Sequence, residues 1–167
     1  MKKIGLCIAL VVLNIAPEWE IRPGYAIRFR DRYATGEFRS LEGRLLFDPD
    51  SVSRSSFVVK VETASIETGN GLKNRHARSA KWFDAAAFPY IEFRSDSIRV
   101  RGEACAAFGK LLLHGVKRSV TIPFAFEDGA VFRGRFRINR VDFGIGKPRG
   151  GEADSTDIEV TVPVVRR

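Results

Sequence analysis

The sequence predicts an all-β fold: an antiparallel sheet of about eight strands closed into a barrel, with one short helix and an aromatic corner between strands. Two observations carry this. Nearly every segment alternates apolar and charged residues with the period of a strand that has one buried face. Turn residues also divide these segments at short, regular spacing, and closure removes the exposed edges that so many strands would otherwise present. A third observation marks the exception. Only Ser65 to Ser95 breaks the alternation in a run long enough for a helix.

Trp19 to Arg30 reads as a first strand broken at Pro23-Gly24, with Ile27 and Phe29 on one face and Arg28 and Arg30 on the other. Thr35 to Phe47 follows as a second strand or bent pair, with Gly43 marking a bulge or a close backbone approach. Asp48-Pro49-Asp50 turns the chain. Ser56 to Thr63 then alternates, with Phe57, Val59 and Val61 inward and Val58, Lys60 and Glu62 outward.

Asn70-Gly71 makes a turn, and Leu72 to Lys81 is a helix without proline. The corner Trp82-Phe83-Asp84 comes next, and Phe88-Pro89 forces extended geometry before Ile91, Phe93 and Ser95. Ile98 and Val100 alternate with Arg99 and Arg101, and a further strand lies around Phe108 to Leu113. Val120, Ile122, Phe124 and Phe126 share a face. Pro123 points the other way, and its missing N–H marks an edge or bulge. Phe132 to Arg140 is the next strand. Gly144 to Gly151 is a loop, and Ile158, Val160, Val162 and Val164 form the last strand.

Length and composition set the class. A chain of 167 residues, 44% hydrophobic and with thirteen Phe, makes a single globular domain with a real core. Residues 1–16 are set apart as a signal peptide. Met1-Lys2-Lys3 is a cationic start, and Ile4 to Ile15 is an apolar run too short to span a membrane. Cleavage near Ala16 leaves residues 17–167 as the barrel domain, in the periplasm or secreted. Cys105 would then be the sole cysteine, with no internal disulfide. The formal net charge is +8. Arg133, Arg135 and Arg137 nevertheless alternate with apolar residues, the pattern of a solvated outer face rather than a nucleic-acid site; transient contact with an anionic membrane surface fits the same charge.

The search for chemistry finds no converging set. His76 on the helix and His114 at a strand-end turn have no partner at metal-ligand spacing, so no metal site is expected. Gly144-Ile145-Gly146 lacks the strand-to-helix context of a phosphate loop. Ser65, His76 and Asp84 have no nucleophile elbow to support a triad. No catalytic residue is assigned. By alternation Arg140 points inward at a barrel end, where an unpaired charge is costly. A salt bridge to Asp84 or Asp142 is the expected structural role, and a ligand-headgroup anchor the alternative. His76 is read as a helix-surface or packing residue.

Several stretches together carry a family resemblance. Ser65-Ile66-Glu67-Thr68-Gly69-Asn70 resembles S-I-D-T-G-N, and Lys73-Asn74-Arg75-His76-Ala77 resembles R-D-x-H-L with Asn for Asp and Ala for Leu. Trp82-Phe83-Asp84 resembles F-F-D, and Phe88 to Ser95 resembles Y-P-x-I-x-F-x-S. Gly109 to Val116 is similar to G-x-L-T-x-x-G-V, and Ile138 to Gly144 to I-N-R-x-D-F-G. These are motifs of the YceI-like proteins, periplasmic lipocalin-like barrels associated with polyisoprenoid binding. The usual His-Ser pair is replaced here by Gly24 and Tyr25.

The resemblance implies a non-enzymatic protein that binds a polyisoprenoid or isoprenoid quinone, with no other cofactor. An eight-stranded barrel either fills with side chains or holds one small ligand, and periodicity leaves both open. The alternative is therefore a filled barrel that binds other envelope components. If the interior is a cavity, the residues expected to line it are Phe57, Val59, Val61, Ile91, Phe93, Phe124 and Phe136. Such faces suit a long hydrocarbon, because each buried methylene contributes roughly 0.8 kcal/mol.

Overall fold

The computed structural model describes residues 15–167. The signal-peptide reading falls almost wholly outside them. Period-2 alternation becomes eleven strand segments: β1 (Glu18–Ile21), β2 (Ala26–Arg30), β3 (Thr35–Phe38), β4 (Glu42–Leu46), β5 (Ser56–Glu62), β6 (Ile66–Glu67), β7 (Tyr90–Arg101), β8 (Ala104–Leu113), β9 (Val116–Glu127), β10 (Val131–Asn139) and β11 (Ser155–Arg166). One helix, α1 (Gly71–Arg78), lies between β6 and β7.

Three of the long strands are bent, which turns eleven segments into eight. β1 and β2 run along β11 one after the other, broken at Pro23-Gly24, where Gly24 takes a φ of +97°. β3 pairs with β2 while β4 pairs with β1, and β5 continues into β6. With β7 to β11 these make an antiparallel sheet that closes because β11 pairs with both β10 and β1. The expected eight-stranded antiparallel barrel with one helix is the fold observed.

Gly43 is a close approach. A Cβ there would sit 2.2 Å from the Val58 carbonyl oxygen across the β4–β5 ladder. Pro123 lies where pairing of β9 with β10 begins, at Phe124 opposite Gly134, so its missing N–H falls where that flank of β9 has no ladder. Ile91 and Phe93 point inward, but a bulge between Ser95 and Ser97 shifts the parity of β7. Ile98 is therefore buried at 1% exposure, whereas Val100 runs past the wall and is 63% exposed.

β6 pairs with β3 but not with β7, and α1 with its aromatic corner fills that breach. Asn70 caps the helix, its side-chain oxygen accepting from the Lys73 N–H at 3.0 Å. Arg75 and Arg78 sit in the last turn, where the helix dipole favours cations. The helix stops at Arg78, short of the expected Lys81, because Ser79 turns extended and its hydroxyl donates to the His76 carbonyl. Asp84, with a φ of +45°, then accepts the N–H groups of Ala87 and Phe88 through its carbonyl. Beneath the corner, Phe83 meets Phe38 edge-on at 5.8 Å. Phe88 packs on His114 at 4.8 Å.

Candidate functional site

The inner faces of the strands enclose a cavity of about 640 Å³, within the range of sites that hold one small ligand. Phe57, Val59 and Val61 of β5, Ile91 and Phe93 of β7, Phe124 of β9 and Phe136 of β10 all lie on its wall. Val59, Ile91 and Phe136 are only half-buried because their inner sides look into this space. Phe29, Phe38, Ile66, Ile158 and Val160, beyond the residues expected from the central strands, complete the wall. Alternation in β2 and β11 carried that signal. Ile66 had none, since a two-residue strand has no period.

The cavity has a floor and a mouth. At the floor the Phe47 ring, 2% exposed, meets the rings of Phe57, Phe124, Phe126 and Phe132 at 5.1–6.2 Å, and Trp19 closes over Phe126 at 5.0 Å. Edge-on contacts between these rings add to the area they bury. The opposite end is ringed by α1, the Asp31–Ala34 turn and the segment after β10. The exposed side chains of Tyr33, Leu72 and Lys73 line the cavity there, so this end reaches solvent. Leu72 is 74% exposed.

Polar groups gather only at the mouth. His76 lines the cavity, and its Nε2 accepts from Trp82 Nε1 at 2.6 Å, which leaves the proton on Nδ1. It is thus both a packing residue and part of the wall. His114, at the β8–β9 turn, donates from Nδ1 to the Phe143 carbonyl at 3.0 Å and holds the turn after β10.

Arg140 is buried as expected, but its partner is neither Asp84 nor Asp142. Asp142 is exposed, and Asp84 is spent on its own turn. The partner is Asp154, which the Gly-rich loop returns to the barrel end, with Nη2 to Oδ1 at 2.7 Å. Arg140 also donates to the carbonyls of Ile145 (2.7 Å) and Lys147 (3.1 Å), and the Gly150 N–H donates to Asp154 at 2.7 Å. Burial alone would push the Asp154 carboxyl up. The N–H donors of Gly150 and Arg149 and the Arg140 guanidinium outweigh it and hold the carboxyl below its usual range. The Arg140 Nε–H finds no partner among the described residues. The side chain also borders the cavity, but its terminal nitrogens are spent on Ile145, Lys147 and Asp154, so this guanidinium braces the loop.

Asn74, where the family motif has Asp, is also accounted for. Its amide donates to Glu67 Oε1 at 2.8 Å, and its oxygen accepts from the Thr68 N–H and hydroxyl. Asp at this position would place a second carboxylate against Glu67. That donor and the Gly69 N–H hold the Glu67 carboxyl below its usual range. Ala77, for Leu, packs beneath the helix beside Phe83. Gly24 supplies the left-handed bend, and the Tyr25 hydroxyl donates to the Arg39 carbonyl at 3.2 Å.

On the outer face, Arg133, Arg135 and Arg137 pair with Glu127, Glu159 and Asp157 at 2.6, 3.5 and 2.7 Å. Exposed pairs of this kind contribute little stability, but they neutralise the face. Among the described residues no three His, Cys, Asp or Glu side chains come together as a metal site would need.

A closed antiparallel barrel with an apolar interior, an aromatic floor and a helix-guarded mouth defines a lipocalin-like binding barrel. The sequence matches the YceI-like domain across residues 21–165, and the chain belongs to that family. A UPF0312 protein of Pseudomonas syringae pv. tomato is 30% identical over 142 residues, 79% of this chain and 73% of that one. One from Vibrio cholerae is 29% identical over 145 residues, covering 81% and 76%. Among solved structures, Burkholderia cenocepacia BcnA superposes with a TM-score of 0.80 at 24% identity, over 87% of this chain and 99% of its own. A polyisoprenoid binding domain from Saccharophagus degradans, implicated in plant cell wall breakdown, gives a TM-score of 0.61 at 11% identity, over 92% and 99%. At these identities the two structures speak to the fold.

Proposed function

We propose that this chain binds a long apolar isoprenoid lipid, a polyprenyl chain or an isoprenoid quinone, inside the barrel and sequesters or carries it without catalysis. One observation supports this above the rest: the 640 Å³ cavity is walled chiefly by Phe, Val, Ile and Leu and reaches solvent beside α1. A hydrocarbon tail needs no polar contact there, and each buried methylene contributes about 0.8 kcal/mol before ordering costs. The family, and the polyisoprenoid binding named for the Saccharophagus domain, favour the same ligand class. A filled-barrel interaction protein would need side chains packed along the axis, and the cavity argues against that alternative.

The proposal includes export. Residues 1–16 direct the chain to the periplasm and are removed, and Leu72 and Tyr33 at the mouth rim touch the membrane surface while lipid passes. The test is to express the full chain from its own amino terminus, recover it from the periplasmic fraction, sequence its amino terminus and extract it with organic solvent for mass spectrometry. A start near Pro17 and a co-purifying isoprenoid are expected. An intact Met1 on cytoplasmic protein would overturn export, and an extract free of lipid would overturn the ligand.

A further inference from the structure

Beside the cavity mouth lies a second, polar recess of about 280 Å³, lined by Asp31, Arg32, Tyr33, Ala34, Thr35, Thr68 and Lys73. Five of these residues, Asp31, Tyr33, Ala34, Thr68 and Lys73, also line the apolar cavity, so the two spaces adjoin. A molecule whose tail fills the barrel would therefore place its head in this recess. The charges there are not balanced. Asp31 turns its Oδ1 onto the N–H groups of Tyr33 (2.7 Å) and Ala34 (2.8 Å), which holds the turn together. The nearby carboxylates are taken as well: Glu67 by Asn74 and the Gly69 N–H, Asp154 by Arg140, and Asp157 by Arg137.

Arg32 and Lys73, by contrast, have no ion pair among the described residues. Arg149 brings a third cation to the rim, its guanidinium 5.3 Å from the centre of the Tyr33 ring. Thr68 cannot serve a ligand as donor, because its hydroxyl is given to Asn74 Oδ1 at 2.7 Å. Arg32 and Lys73 set two positive charges against the single carboxylate of Asp31 in the recess lining, and this net positive balance favours an acceptor-only, negatively charged group.

We infer that the Arg32–Lys73 recess binds the anionic head, phosphate or carboxylate, of the amphiphile whose apolar tail occupies the barrel. This rests on the lipid-binding reading and sharpens it, since it prefers a charged isoprenoid over a neutral one. Arg32 engages the oxygens through its planar fork, and Lys73, on the first turn of α1, adds a point charge at the cavity rim. The outer-face arginines cannot substitute, being paired along the strands.

The test uses one tail with two heads, measured by calorimetry on delipidated protein: farnesyl monophosphate, farnesol and, separately, inorganic phosphate. Farnesyl monophosphate is expected to bind about tenfold or more tighter than farnesol, with the gap shrinking in about 0.5 M salt. The Arg32→Gln/Lys73→Gln double variant should lose most of that preference. Arg99→Gln/Arg101→Gln removes the same charge from the outer cluster over Phe108 and should keep it. Equal affinity for the two isoprenoids would overturn the head site and leave the cavity reading standing. So would equal loss in both double variants, which would mean net charge alone. Inorganic phosphate bound as tightly as farnesyl monophosphate would mean a free-anion site and would overturn it too. If neither isoprenoid bound, the cavity reading itself would fail, and this inference with it.

Discussion

Arg140 and Asp154 put a full ion pair, each side chain 5% exposed, at the end of an apolar barrel. The pair persists because its hydrogen bonds are nearly all made, and the loop from Gly144 to Asp154 is tied to the wall through it. Asp154 is held below its usual carboxyl range, so its contribution is present above the ordinary carboxylate pKa and lost as pH falls through the depressed value. Asp154→Asn should lower stability at neutral pH and flatten the acid limb of the stability curve below about pH 4, read by urea melts from neutral to acid. At the wall, a charge without a partner is expelled or empties the site. Val59→Glu and Phe93→Glu should therefore abolish co-purifying lipid in folded protein. Arg133→Glu, on the outer face, should retain it. Mass spectrometry of organic extracts reads all three.

At the scale of one element, α1 covers the mouth of the barrel because β6 is too short to pair with β7. Its hold is polar as much as apolar: only Asn74 of its residues is buried, and that amide bridges Thr68 and Glu67. Asn74→Asp should loosen the helix most at neutral pH, where two carboxylates face each other. The penalty should shrink on acidification, once one of them takes a proton at a raised pKa. Hydrogen exchange of the α1 amides at two pH values would detect this. Protection unchanged between Asn74→Asp and wild type would show that the bridge does not hold the helix.

For the whole molecule, a ligand held in the cavity would make stability depend on occupancy. A ligand that binds only the folded barrel adds about 2.7 kcal/mol at a free concentration a hundredfold above its Kd. Delipidated protein should therefore melt lower than protein as purified, and adding an isoprenoid amphiphile should restore the difference in a concentration-dependent way. Thermal melts with and without farnesyl monophosphate check it. Val59→Glu protein should show no such shift.

Much of this was legible in the chain. Strand side chains alternate between faces, so apolar positions in β5, the first half of β7, β9 and β10 declared their direction locally, and the seven wall residues followed from that alone. The broken first strand at Pro23-Gly24 and the helix after Asn70 were equally local, written in φ preferences and capping chemistry. What alternation could not carry was anything set between segments distant in sequence. The bulge at Ser95–Ser97 reversed the parity of β7 and turned Ile98 inward, because the inserted residue answers to its partner strand β8. Asp154 became the partner of Arg140 only when a Gly-rich loop folded back, while nearer acids were drawn into turns or left in solvent. Whether the barrel would be filled or hollow depended on strand tilt and stagger, which set its radius, and on where the aromatic rings stacked. The apolar residues alone fit either outcome; the tertiary structure gathered Trp19 and the rings of Phe57, Phe124, Phe126 and Phe132 around Phe47 at one end and left a cavity above them.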